Sequence, residues 1–286
     1  MFDRFVVVDW SAHSAPKLGR DSIWIAVRDR TGGVSAVNVA TRSAAATFLA
    51  ELFESDPDAT TLLGVDFSLG YPCGTASALG LEGTAWSAMW QLLADRITDD
   101  DRNSNNRFAV ATDLNRCLTG GAAPFWGCPP RAASECLTTT KPIGTATLAA
   151  FRAVEIELRA QGFRPFSSWQ LLGAGAVGSQ SLVGIPRLHD LCNRFRDRIE
   201  VWPFTTGFRS PRLDAGAIVV AEVWPSMLDI GSHDEVRDAA QVTSTARWLD
   251  DTDAADGLEA LFSLEMALEM SAAAVAEEGW VLGVVS

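Results

Sequence analysis

Three apolar runs in this chain each stop on a carboxylate. Phe5-Val6-Val7-Val8 runs into Asp9, Leu62-Leu63-Gly64-Val65 into Asp66, and Ala217-Ile218-Val219-Val220-Ala221 into Glu222. Short continuous apolar runs are the pattern of strands buried on both faces, and such strands belong to largely parallel sheets covered by helices. Ligands bind these sheets beyond the carboxyl ends of the strands. If the three strands are neighbours, their acids converge on one edge. Converging carboxylates repel, and they are tolerated when a divalent cation neutralises them or when some stay protonated. Any one of these acids also reads as an ordinary turn residue, since Asp favours turns.

The remaining pattern fits an α/β chain. Ser22 to Val27 and Val34 to Val39 read as two further strands of a meander, joined by a turn at Arg30-Thr31-Gly32-Gly33. Ser43 is a candidate N-cap for a helix through Phe53. From about 71 to 165 the periodicity loosens, with helical stretches only near Trp86–Ile97, Phe108–Cys117 and Leu148–Leu158. That region reads as an inserted cap within a single domain spanning 1–286. A helix is expected over Leu182–Phe195, and a long final helix from Thr252 to about Val275, its start marked by Asp250-Asp251-Thr252-Asp253. Within it Asp253 and Asp256 share a helical face with Gly257, Ala260 and Leu264. Small residues would let that face approach the sheet. The bland alternative is an N-cap with a first-turn acid.

Composition narrows the function classes. The 286 residues are 48% hydrophobic and 21% charged, which is a folded globular profile. The net charge of −13 argues against a protein that coats nucleic acid or binds anionic membranes. A local site that meets phosphate through a metal ion remains compatible with it. No apolar run approaches the ~18 residues of a membrane span. Met1 to Phe5 does not read as the start of an export signal, and the five cysteines contain no C-x-x-C pair. Both features point to a cytoplasmic protein with reduced thiols.

The order of elements, with acids on three strands and D-x-x-D on a late helix, resembles the ribonuclease H-like fold. Asp253-Ala254-Ala255-Asp256-Gly257-Leu258 resembles the terminal-helix motif of Holliday-junction resolvases of that fold. Val65-Asp66-Phe67-Ser68-Leu69-Gly70-Tyr71-Pro72 and Ala221-Glu222-Val223-Trp224-Pro225-Ser226 resemble two motifs of a family of predicted RNase H-like nucleases of unknown function. Gly184-Ile185-Pro186 and Leu191 resemble that family's helix start. The chain departs from the family pattern at Trp224, where a His is usual, at Ser226, where a second acid is usual, and at Asp9-Trp10-Ser11 in place of Asp-Gly.

The resemblance implies an RNase H-like mixed sheet flanked by helices and two-metal phosphodiester hydrolysis. Asp9 would bridge two Mg²⁺ or Mn²⁺ ions. Asp66, Glu222 and Asp256 would complete their shells, and Asp253 would serve as a further ligand or general base. Ser11, His13, Lys17 and Ser68 would lie near the scissile phosphate, with Asn106 and Arg107 from the polar insertion. The lone His13 equally suits ordinary surface. The expected partner is a small or single-stranded nucleic acid, or a nucleotide.

Other readings stay open. Asp9-Trp10-Ser11 and Asp66-Phe67-Ser68 could imitate the paired phosphate loops of the actin and sugar-kinase group, which implies a nucleotide-binding ATPase-like protein. A non-catalytic binding module on the same scaffold is a third possibility. Gly173-Ala174-Gly175-Ala176-Val177-Gly178 is a literal G-x-G-x-x-G, which would mark a dinucleotide site only with a strand before it and a helix after it.

Overall fold

Strands β1 (Arg4–Asp9), β2 (Ile23–Asp29) and β3 (Val34–Val39) form the expected antiparallel meander. Strands β4 (Thr61–Val65), β5 (Ile199–Val201) and β6 (Ile218–Glu222) extend it in parallel, in the order β3-β2-β1-β4-β6-β5. In this computed structural model the described residues are 1–286 apart from Thr31, 145–146, Ala174, 229–235 and Ser286. Thr31 of the expected turn and Ala174 of the glycine-rich run thus lie outside the described residues.

The apolar strand bodies bury both faces, as a covered sheet requires. On one face, Val6, Val8, Leu63, Val65, Ile218 and Val220 pack against helices α1 (Arg42–Ser55), α3 (Ala85–Arg96), α4 (Arg107–Thr119) and α6 (Gly178–Arg194). The short helix α2 (Thr75–Ala78) leads into α3. Residues 71–165 therefore share the main core: Trp90, Leu93 and Leu114 join the same apolar cluster as the strands. Thr41, rather than Ser43, caps α1, its side chain accepting from Ala44 N–H at 3.2 Å.

On the other face, Phe5, Val7, Leu62, Val219 and Ala221 meet α5 (Ala153–Ala160), α7 (Arg237–Ala254), α8 (Leu258–Phe262) and the C-terminal residues Trp280 to Val284. Helix α7 lies across β1, β2 and β3. The chain then continues through α8 and α9 (Leu268–Ala273). The expected long helix from Thr252 to Val275 is thus replaced: Asp250 to Asp253 close α7 instead of opening a helix. Gly184-Ile185-Pro186 lies inside α6, not at its start. Gly184 is required there because a Cβ would sit 2.5 Å from the Phe67 ring. No helix among the described residues is long and apolar enough to cross a membrane.

Candidate active site

Register decides which acids meet. In the parallel β1–β4 pair Val8 lies beside Val65, so Asp9 and Asp66 follow side by side. Side chains alternate along a strand, and both acids share the parity of Val7 and Leu62, which face α7. Asp66 N–H donates to Val8 C=O, and Trp10 N–H donates to Asp66 Oδ1 at 2.7 Å. Trp10 and Phe67 pack ring to ring at 5.9 Å and fix the two strand ends.

Both carboxylates are half-buried. Desolvation pushes Asp9 well above the usual carboxylate range, helped by the charge of Asp66 and by a side-chain hydrogen bond to it. Desolvation also pushes Asp66 up to about 7. Both shifts favour the protonated form of the pair. The other charges acting on it come from more aspartates, Asp238 on both members and Asp21 on Asp9. Asp238 sits in the first turn of α7, and its Oδ2 accepts from Asp21 N–H at 2.6 Å.

These acids line a cavity of about 550 Å³. Arg107, at the start of α4, also lines it, with Ser179 and Gln180 at the start of α6; Gln180 Nε2 donates to Trp10 C=O, next to Asp9. Ser11 and His13 line it from the β1–β2 loop. That loop is held by the buried Arg42, whose Nη1 donates to the carbonyls of Ser11 and His13 at 2.8 and 2.9 Å. Asp99 in turn pairs with Arg42 and Arg187. Trp10 is 4% exposed on the cavity wall, and its indole N–H has no acceptor among the described residues.

Three of the expected acids stand apart from the pair, although Glu222 lines a small neighbouring pocket that Asp66 also borders. Glu222 aligns with Val65, one position short of Asp66, and so takes the opposite parity. Its two oxygens accept from Arg152 Nη1 and Nη2 at 2.7 and 2.6 Å. Arg152 also bonds Glu155 and is 1% exposed. Burial alone would lower the Arg152 guanidinium, but Glu222 and Glu155 hold it above its ordinary value. Glu222 is therefore a neutralised structural acid.

Asp253 lies at the far end of α7, roughly 22 Å from Asp238 at 1.5 Å per residue. There its Oδ2 accepts from Phe2 N–H and Arg30 Nη2, both at 2.7 Å, which pins the N-terminal end of β1. Asp256 borders a separate pocket beside Asp253 and Met1. Neither approaches the Asp9–Asp66 pair. The acid that sequence reasoning missed is Asp238. Its signal was the spacing of the buried Ala239, Val242, Ala246 and Leu249 behind it.

Of the expected substrate contacts, Ser11, His13 and Arg107 line the cavity. Lys17 instead pairs with Asp21 at 3.5 Å, and Ser68 is buried beside Arg152 and Glu222. Asn106 is tied to Thr98 N–H and Arg96 C=O before α4. The glycine-rich run does lead into a helix and onto the cavity. What precedes it is not a strand: Gln170 makes only an isolated bridge to Trp126. The dinucleotide fingerprint is thus incomplete.

No group of three or more His, Cys, Asp or Glu side chains among the described residues is placed to hold a metal ion by itself. Mg²⁺ needs no such cage: it commonly binds through one or two carboxylates and fills its shell with water and substrate phosphate. Two hard oxygen donors crowded together at a cavity wall, with the further aspartates Asp21 and Asp238 on the same cavity, fit that ion. No family model matches the chain, and neither does any curated protein or solved structure.

Proposed function

We propose that this protein is a Mg²⁺- or Mn²⁺-dependent phosphodiester hydrolase, a nuclease for small or single-stranded nucleic acid built on an RNase H-like sheet. The observation that carries this reading is the Asp9–Asp66 pair, side by side at the carboxyl ends of adjacent parallel strands and lining the cavity. The sheet order, an antiparallel meander continued in parallel by β4 and β6, supports the fold.

Asp9 and Asp66 would hold the ion and give up any proton they carry as it binds. An ion held there would supply Lewis-acid activation of water and charge neutralisation on the phosphate. Asp238 acts on the pair through its charge and would accept a hydrogen bond from the attacking water. Ser11 and His13 are presented on a loop that Arg42 fixes, so they would orient phosphate oxygens without reordering.

The test is hydrolysis of a labelled single-stranded oligonucleotide and of bis(p-nitrophenyl) phosphate, with Mg²⁺, with Mn²⁺ and with EDTA. Wild type should cleave only with metal. Asp9→Asn and Asp66→Asn should each lose on the order of 10³-fold in rate, several kcal/mol of transition-state stabilisation. A wild-type protein inert with both metals would end this reading.

A further inference from the structure

Arg107 is 7% exposed, yet it has no carboxylate within ion-pair distance among the described residues. Its Nε donates to Ser179 Oγ at 2.9 Å, and its Nη1 to Ser14 Oγ at 2.9 Å and Asn105 Oδ1 at 2.8 Å. All three acceptors are neutral. Its Nη2 has no protein partner among the described residues, and the side chain lines the cavity. Burial pulls the guanidinium down to about 10, and the charge on Arg42 adds to that shift. A buried cation is ordinarily paired, because desolvation of an unpaired charge is costly. This one is held by neutral hydrogen-bond acceptors and lies over the Phe108 ring at 4.3 Å; Asp99 acts on it through its charge but forms no ion pair with it, and its Nη2 is left over.

A second set of free donors lies beside it. Among the first N–H groups of α6, that of Gly178 reaches Gln170 C=O at 3.0 Å, and that of Ser181 reaches Val177 C=O at 2.9 Å. The N–H groups of Ser179 and Gln180 have no acceptor among the described residues, and Val177 provides no side-chain cap. Gly178 is fixed there by close backbone approach: a Cβ would lie 2.4 Å from Ser168 C=O. Helix N-terminal donors attract anions, and Arg107 is anchored to this turn through the Ser179 hydroxyl. One cavity is thus lined both by the acid pair and by a cation without a carboxylate partner, next to amides that have no acceptor among the described residues.

We propose that Arg107 and the free N–H groups of Ser179 and Gln180 form an anion subsite for a terminal phosphate, which makes the substrate a phosphate-ended nucleotide or short oligonucleotide. The subsite rests on the hydrolase reading for the identity of the molecule that carries the phosphate; anion capture itself does not. A planar guanidinium and backbone amides at a helix start are both groups that bind phosphate oxygens. A cavity of about 550 Å³ has the size of a small-ligand site. On a chain of net charge −13, in a cavity that Asp9, Asp21, Asp66 and Asp238 also line, Arg107 is the one Lys or Arg among the described lining residues that can offset the charge of an anionic ligand.

The subsite is tested without metal, in EDTA, with inorganic phosphate as the probe and sodium chloride at equal ionic strength as the control. Phosphate should raise the wild-type melting temperature where chloride does not, by mass action on the folded state. Arg107→Met should weaken phosphate binding at least tenfold, and Arg107→Lys should recover part of it. Should the Arg107 variants fail to fold, Ala176→Asp carries the same test: Ala176 lines the cavity on the turn before α6 and is half-buried, so a carboxylate there repels the anion. A 5′-phosphorylated dinucleotide should bind more tightly than its 5′-hydroxyl counterpart. Equal stabilisation by phosphate and chloride in wild type overturns the subsite, as does unchanged phosphate binding in Ala176→Asp. Phosphate capture without metal-dependent cleavage removes the hydrolase and keeps the subsite; cleavage without phosphate capture does the reverse.

Discussion

Two buried acid clusters lie at the same end of the sheet, and chemistry separates them. Around Glu222 the charge is answered: Arg152 takes both of its oxygens, and Leu69 N–H adds a third bond at 3.1 Å. Around Asp9 and Asp66 the charges that act on the pair are those of further aspartates, Asp238 and Asp21, and the compensation is a backbone hydrogen bond from Trp10 N–H. The first cluster is closed, so it can hold the C-terminal segment to the sheet; Arg152 also donates to Glu278 C=O at 2.9 Å. The second is open to a cavity. An acid whose partner is built into the chain is part of the scaffold, whereas an acid whose partner must come from solution is a candidate site.

The sharpest way to break this contrast is to remove the cation from the closed cluster. Arg152→Met leaves Glu155 and Glu222 buried without their partner, and should cost about 3–5 kcal/mol of stability in urea unfolding. A loss under about 1 kcal/mol would mean that the network is not what closes this end. Glu222→Gln is milder, because Arg152 keeps Glu155. It should cost about 1–3 kcal/mol and leave metal-dependent hydrolysis nearly intact, unlike Asp66→Asn.

The open cluster has its own signature in pH. A carboxyl raised in the folded state keeps a proton that the unfolded chain has already lost. Its stabilisation is complete below the unfolded value near 4 and disappears as pH rises through the folded value, about 7 for Asp66. Metal-free protein should therefore lose stability between about pH 4 and pH 7, by at most about 1.4 kcal/mol per pH unit for one proton. Asp66→Asn should flatten that slope, and Mg²⁺ should offset it at pH 8. A slope unchanged in Asp66→Asn would place the titration elsewhere.

The smallest effect belongs to the acids at the opposite end of α7. Asp253→Asn weakens the charge-assisted bonds from Phe2 N–H and Arg30. It should cost roughly 1–2 kcal/mol in thermal unfolding and leave hydrolysis unchanged. A large loss of activity would instead restore Asp253 to the site.

Much of this was legible in the residues. The buried strands at Phe5–Val8, Leu62–Val65 and Ala217–Ala221 carry β1, β4 and β6, and the meander follows at Val34–Val39. Helix α7 was not legible in the same way. Its body, Arg237 to Ala254, is rich in Thr, Ser and Asp, and its buried stripe is mostly small residues. Its closing acids, Asp250 to Asp253, imitate a helix start because acids are usual there. They are tolerated at a C-terminus because Asp250 pairs with Arg28 and Asp253 with Arg30. Those partners are more than two hundred residues away, beyond the reach of local pattern.

The strands and the carboxylates that end them follow from local composition, because side-chain alternation and apolar continuity act over a few neighbouring residues. Which carboxylates stand together is a matter of register and helix direction. A single step in register sent Glu222 to Arg152 and left Asp66 beside Asp9. The course of α7 brought Asp238 to the cavity and carried Asp253 away from it. Burial and charge pairing belong to the assembled molecule, so only tertiary structure decided that Glu222 is neutralised and that Arg107 is not.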